Sequence, residues 1–147
     1  VPNKHNGLTF CAGSFSAGEH NDCVAMAKQF ADRTHFVHLR SCYIFPNGNF
    51  TEASHLGGRG HLIELCRIFE KAEQEGKCNS GRRLPMRVDH GMTFTDEPGG
   101  VFDESNHGHN AGYTLLGRMF AMGQIQGVLA TVDDELGIEY KQPGFYD

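Results

Sequence analysis

Leu8-Thr9-Phe10-Cys11, a helical pattern from Asn21 to Ala31, and His35-Phe36-Val37-His38-Leu39 follow one another in one stretch of chain, and their order decides the fold. The first and last runs are short and rich in aromatic and β-branched residues, as strands are. Ala12-Gly13-Ser14 breaks the first run. Val24, Ala27, Phe30 and Ala31 recur at helical spacing, with Asn21 or Asp22 available as the cap. Strand, helix and strand in that order predict a βαβ unit, and so a parallel pair.

The alternation continues outward. Ser41 to Gly60 reads as a loop punctuated by Pro46-Asn47-Gly48 and Gly57-Gly58. A helix follows with Leu62, Leu65, Cys66, Phe69 and Ala72 on one stripe and Gly76 to close it. Leu84-Pro85-Met86-Arg87-Val88 predicts a third strand, with proline at its edge. Residues 92–111 then form a Gly-, Asp- and His-rich loop, long enough to suggest an active-site role. A last helix is expected from about Tyr113 to Ala130, carrying Leu116, Met119, Phe120 and Val128, and the tail 131–147 reads as acidic and then loop-like. The order β-α-β-α-β-α predicts the α/β class, a parallel sheet with helices packed outside it.

With 147 residues the chain has the size of one domain. Thirteen basic against eighteen acidic residues give a net charge of −5, the wrong sign for a nucleic-acid partner, which needs clustered Lys and Arg. Mean hydropathy is −0.43, and no apolar run approaches the roughly 20 residues of a membrane span. The polar start, Val1-Pro2-Asn3-Lys4-His5, does not read as a secretory signal. Five cysteines, at 11, 23, 42, 66 and 78, form no C-x-x-C pair, so reduced thiols and a cytoplasmic setting are expected.

In parallel α/β folds the chemistry sits just past the carboxyl ends of the strands. Cys11 closes the first strand, His38 lies near the end of the second, and Asp89 closes the third. Strand side chains alternate, so His35 and His38 point to opposite faces; Arg40 shares the parity of His38 if the strand runs that far, and Arg87 that of Asp89. Each residue alone has an ordinary reading as a buried thiol, a core histidine or a turn former. Together, a thiolate, an imidazole and a carboxylate suit a borderline divalent metal, and three ligands leave positions open for catalysis. The default reading of His5, His20, His55, His61, His107 and His109 is solvated surface.

Five blocks in order resemble the mannonate dehydratase family, from residue 6 to about 129. They are Asn6-Gly7-Leu8-Thr9-Phe10-Cys11-Ala12-Gly13-Ser14, His35-Phe36-Val37-His38-Leu39-Arg40, Phe50-Thr51-Glu52-Ala53-Ser54-His55-Leu56, Met86-Arg87-Val88-Asp89-His90-Gly91, and Gly112-Tyr113 with Gly117-Arg118. Where the family pattern continues past His-Leu with Asp-Gly-Asp, this chain has Gly57-Gly58-Arg59-Gly60. The resemblance implies a (β/α)8 TIM barrel of the xylose-isomerase-like type, of which this chain would be the carboxyl-terminal part, about three β/α units. The implied activity is conversion of D-mannonate to 2-keto-3-deoxy-D-gluconate and water, with Mn(II) or Fe(II). Family metal ligands fall on Cys11, His38 and Asp89, catalytic residues on His90 and Tyr113, and the motif arginine, near the acid substrate, on Arg87. A further histidine ligand would come from the missing amino-terminal half, so association with that half or self-association is expected, and the 147-residue chain alone is expected to be inactive. The alternatives are a metal-dependent sugar isomerase or epimerase on the same barrel, which the cysteine ligand disfavours, and a non-catalytic fragment.

Overall fold

Asp22 opens the first long helix as its cap: one carboxylate oxygen accepts the backbone N–H groups of Val24 and Ala25 at 3.0 and 2.9 Å. The computed structural model, which describes residues 3–94 and 112–139, places this helix between two parallel strands. β1 (Leu8–Cys11) runs through a helical turn, α1 (Ala12–Ser16), into α2 (Cys23–Phe30), and the chain returns as β2 (Thr34–His38). Further on come α3 (Leu62–Gln74), β5 (Met86–Arg87) and α4 (Leu115–Leu136), so the expected alternation is present. The sheet order is β1-β2-β5, with both pairings parallel.

Alternation along the strands sorts the side chains. Phe10 and Val37 are buried against the helices, while their neighbours Cys11 and His38 are only partly buried. The core lies between the sheet and α2, α3 and α4; it joins Phe10 and Val37 to Leu65, Cys66 and Phe69 of α3 and to Ala121 and Ile125 of α4. Phe10 and Phe69 meet edge to face at 5.2 Å between ring centres. Each buries a side chain worth about 1.5–3 kcal/mol of transfer free energy. α4 comes close to the turn after β5 because Gly91 and Gly117 touch; a β-carbon on Gly91 would overlap the Gly117 backbone.

Several expectations need correction. The presumed loop 41–60 contains a hairpin, β3 (Cys42–Ile44) antiparallel to β4 (Phe50–Glu52). Three-residue strands are too short to print an alternation pattern, so only the turn between them was visible. The third strand is two residues long and ends at Arg87, leaving Asp89 beyond it. The last helix starts at Leu115 and continues to Leu136, well into the presumed tail. Contacts with α3 carry it on: Arg67 binds Glu135 through two hydrogen bonds of 2.7 and 3.0 Å, and Gln74 donates to the Leu136 carbonyl. Of the loop 92–111, residues 95–111 lie outside the described residues, as do His107, His109 and residues 140–147. Among the described residues no helix is long and apolar enough to cross a membrane.

Candidate metal centre and active site

Sheet register brings the first two candidate donors together. Cys11 and His38 are direct partners in the β1–β2 ladder, so they stand side by side at the carboxyl ends of their strands. Asp89 reaches the same place from past the end of β5. Its backbone is left-handed, with φ of +59°, a conformation Asp tolerates better than most residues. Its Oδ2 lies 3.5 Å from His38 Nδ1. One donor atom from each of Cys11, His38 and Asp89 lies within 4.8 Å of the others.

The protonation states of His38 and Asp89 suit ligation. Burial pushes the His38 pKa down, and the nearby charges of Arg87, His90 and Arg40 add to this against the opposing pull of Asp89. The ring is therefore neutral near pH 7. Burial alone would raise the Asp89 carboxyl, but the Arg87 hydrogen bond and the charges of His38, His90 and Arg87 outweigh it and hold the group ionised. All five cysteines are free thiols. Burial raises four of them, Cys23, Cys42, Cys66 and Cys78, with Cys66 pushed up to about 12. Cys11 alone is partly open, and the Ser14 hydroxyl lies 3.2 Å from its sulfur, in position to donate a hydrogen bond. A cysteine sulfur, a neutral imidazole and a carboxylate at this spacing fit a borderline divalent cation and leave part of its coordination sphere open.

The remaining sequence candidates converge on the same spot. Arg87 bonds the Asp89 Oδ1 oxygen, and the Tyr113 hydroxyl donates to that oxygen at 3.2 Å. Arg87 also reaches the Tyr113 oxygen at 3.4 Å. The His90 ring tilts against the Tyr113 ring with centres 4.4 Å apart, and its Nε2 is 3.9 Å from Asp89 Oδ2. His35, by contrast, lies against Gly7 at the other end of β2 and takes no part.

Sequence reasoning gave no role to two neighbours, Glu52 and His55, and tied a third, Arg40, to strand parity. Arg40 lies past the end of β2, so strand parity does not govern it; it binds Glu52 through hydrogen bonds of 2.8 and 2.5 Å. Glu52, at the end of the unrecognised hairpin, also stands 3.1 Å from His90 Nδ1. His55, expected on the solvated surface, is 2% exposed, with Nε2 bonded to the Val88 carbonyl at 3.0 Å. The available signal was the family-like block Phe50 to Leu56, which contains both Glu52 and His55 but does not by itself show that either is buried.

Side chains able to hold a metal at the carboxyl ends of parallel strands, beside a histidine and a tyrosine, are a layout suited to metal-assisted chemistry in an α/β fold. The family model for D-mannonate dehydratase (UxuA) matches residues 1–138, and the chain belongs to that family. It is 37% identical to mannonate dehydratase 2 of Agrobacterium fabrum over 138 residues, which is 92% of this chain and 33% of the relative. It is likewise 37% identical to the mannonate dehydratase of Saccharophagus degradans over 90% of this chain and 32% of that one. The crystal structure of mannonate dehydratase from Streptococcus suis serotype2 has the same fold over the whole of this chain and 39% of its own, with a TM-score of 0.72 at 20% identity. The chain thus spans about a third of the length of the curated relatives it matches.

Proposed function

We propose that this chain supplies about three carboxyl-terminal β/α units of a (β/α)8 barrel that dehydrates D-mannonate to 2-keto-3-deoxy-D-gluconate, the rest of the barrel coming from an amino-terminal part. The observation that carries the reading is the approach of Cys11, His38 and Asp89 donors to within 4.8 Å, beside His90 and Tyr113. Cys11, His38 and Asp89 would hold Mn(II) or Fe(II). Bound there, such an ion supplies positive charge against the negative charge that develops on the substrate carboxylate and 2-hydroxyl.

Dehydration removes a proton from C2 and expels the C3 hydroxyl as water; the enol left behind releases its hydroxyl proton, takes up one at C3 and becomes the 2-keto acid. One group must accept the C2 proton and another must protonate the leaving oxygen, each worth about 10²–10⁴-fold. His90 is assigned the base and Tyr113 the acid: their rings are in contact, so one substrate can meet both. Arg87, with nearly half of its side chain exposed, provides a guanidinium for the substrate carboxylate.

The test is turnover by the assembled protein carrying this chain, loaded with Mn(II) or Fe(II), on D-mannonate and on an aldose or ketose. Formation of 2-keto-3-deoxygluconate, with the neutral sugars untouched, is the expected result. Interconversion of the neutral sugars without dehydration would overturn the assignment in favour of an isomerase.

A further inference from the structure

We propose that Glu52, clamped by Arg40, is the positioning residue that fixes the ring and the tautomer of His90. The inference rests on the reading of His90 as the group that moves a proton. Glu52, Arg40 and His90 are all well shielded, with side chains 8%, 13% and 16% exposed. Glu52 Oε1 stands 3.1 Å from His90 Nδ1. An ionised carboxylate attracts an N–H and repels a nitrogen lone pair, so one standing at this distance favours the proton on Nδ1. A neutral imidazole has one N–H, which makes Nε2 its basic nitrogen. Nε2 is the atom on the side of Asp89, at 3.9 Å from Oδ2, where the substrate is to be met.

Glu52 is itself immobilised. Arg40 grips both of its oxygens, Nε to Oε2 at 2.8 Å and an amino group to Oε1 at 2.5 Å, the paired geometry that fixes a carboxylate in plane. The Phe50 ring lies 5.9 Å from the Arg40 guanidinium and backs it. Glu52 is the last residue of β4 and pairs with Cys42 of β3, so the hairpin carries this carboxylate to the strand-end turn. Gly112 leaves room for the contact: its φ is +88°, and a β-carbon there would sit 2.9 Å from His90 Cβ and 3.0 Å from Glu52 Cγ. A purely structural Arg40–Glu52 pair would be complete without His90, so the tautomer is the observable that separates the two roles.

The experiment is nitrogen-15 NMR of the assembled protein carrying the histidine-labelled chain, metal-free in a mildly alkaline buffer, with the His90 signals identified by their loss in His90→Asn. The expected result is a proton on Nδ1 in the unaltered chain. In Glu52→Gln the amide turns an N–H toward the ring and the proton moves to Nε2. In the assembled enzyme that variant lowers kcat on the order of 10²–10⁴-fold, with KM and metal content little changed. A proton on Nε2 in the unaltered chain, or an unchanged tautomer in Glu52→Gln, overturns the proposal. The measurement on the unaltered chain decides even if the variant fails to fold. Because the NMR needs no turnover, failure to dehydrate D-mannonate would strike the functional reading alone.

Discussion

Asp89, in the turn past β5, and His38, at the end of β2, meet with Oδ2 standing 3.5 Å from Nδ1. The other Asp89 oxygen takes the Arg87 guanidinium and the Tyr113 hydroxyl, so one carboxylate links the donor cluster to the groups assigned to the substrate. Replacing Asp89 by Asn leaves the shape but removes the charge. Loss of a partner that merely orients a ligand costs about 10–100-fold in metal affinity, so loss of the ligand charge itself should exceed about 100-fold. His90→Asn should keep the metal while abolishing turnover. Metal titration of both variants checks the division; a His90 variant that lost its metal would refute it.

His55 ties the hairpin segment to the strand that leads to Asp89, through its bond to the Val88 carbonyl. His55→Leu strands that carbonyl in a buried place, at a cost of about 1–3 kcal/mol. The pH dependence should change as well. Burial lowers the His55 pKa from 6.5, so the unfolded chain binds the proton first as the pH falls. The contribution is present above the unfolded value of 6.5 and is lost as the pH falls through the lower folded one. Urea midpoints measured from neutral to acid pH should lose this part of their slope in His55→Leu.

Glu70 works in the opposite direction. Burial, helped by the charges of Asp133 and Glu73 and opposed by Arg83, raises its pKa from 4.5 to about 7. The folded state then holds a proton that the unfolded chain has released, and stability falls as the pH rises from about 4.5 to about 7. Glu70→Gln removes that slope. Fully shielded, the shift would correspond to about 3 kcal/mol at 1.36 kcal/mol per unit; the side chain is partly solvated, so a gain of about 1 kcal/mol near pH 7.5 is expected. Denaturation at acid and neutral pH checks it: equal stabilities of the two proteins at pH 7.5 would count against a shifted Glu70.

The βαβ order and the strand-end residues were legible because both rest on local patterns. A helix stripe and an apolar run print their periods in the sequence, and the rule that chemistry lies past the strand ends then selects Cys11, His38 and the turn at Asp89. What could not be read depends on contacts between distant segments. Glu52 meets Arg40 across a hairpin of three-residue strands, and His55 is buried only because Val88 offers it a carbonyl 33 residues on. Likewise α4 runs past Ala130 because α3 holds its acidic end, through Arg67 and Glu135. Residues 131–136 look like a tail until that partner is in place.

The last prediction concerns the chain by itself. Its three-stranded sheet has β1 at one edge and β5 at the other, each paired on one side among the described residues. Open edges offer unsatisfied backbone groups, and an eight-stranded barrel removes them only by closing. The relatives are about three times as long, so most of a closed wall would come from sequence outside this chain. An unclosed site admits water, which weakens the electrostatic stabilisation that breaking the C2–H bond requires. The 147-residue chain with Mn(II) or Fe(II) should therefore give no 2-keto-3-deoxygluconate, and supplying the amino-terminal part should restore turnover. Turnover by the chain alone would mean that these strands, or a self-association that covers their edges, suffice to build the site.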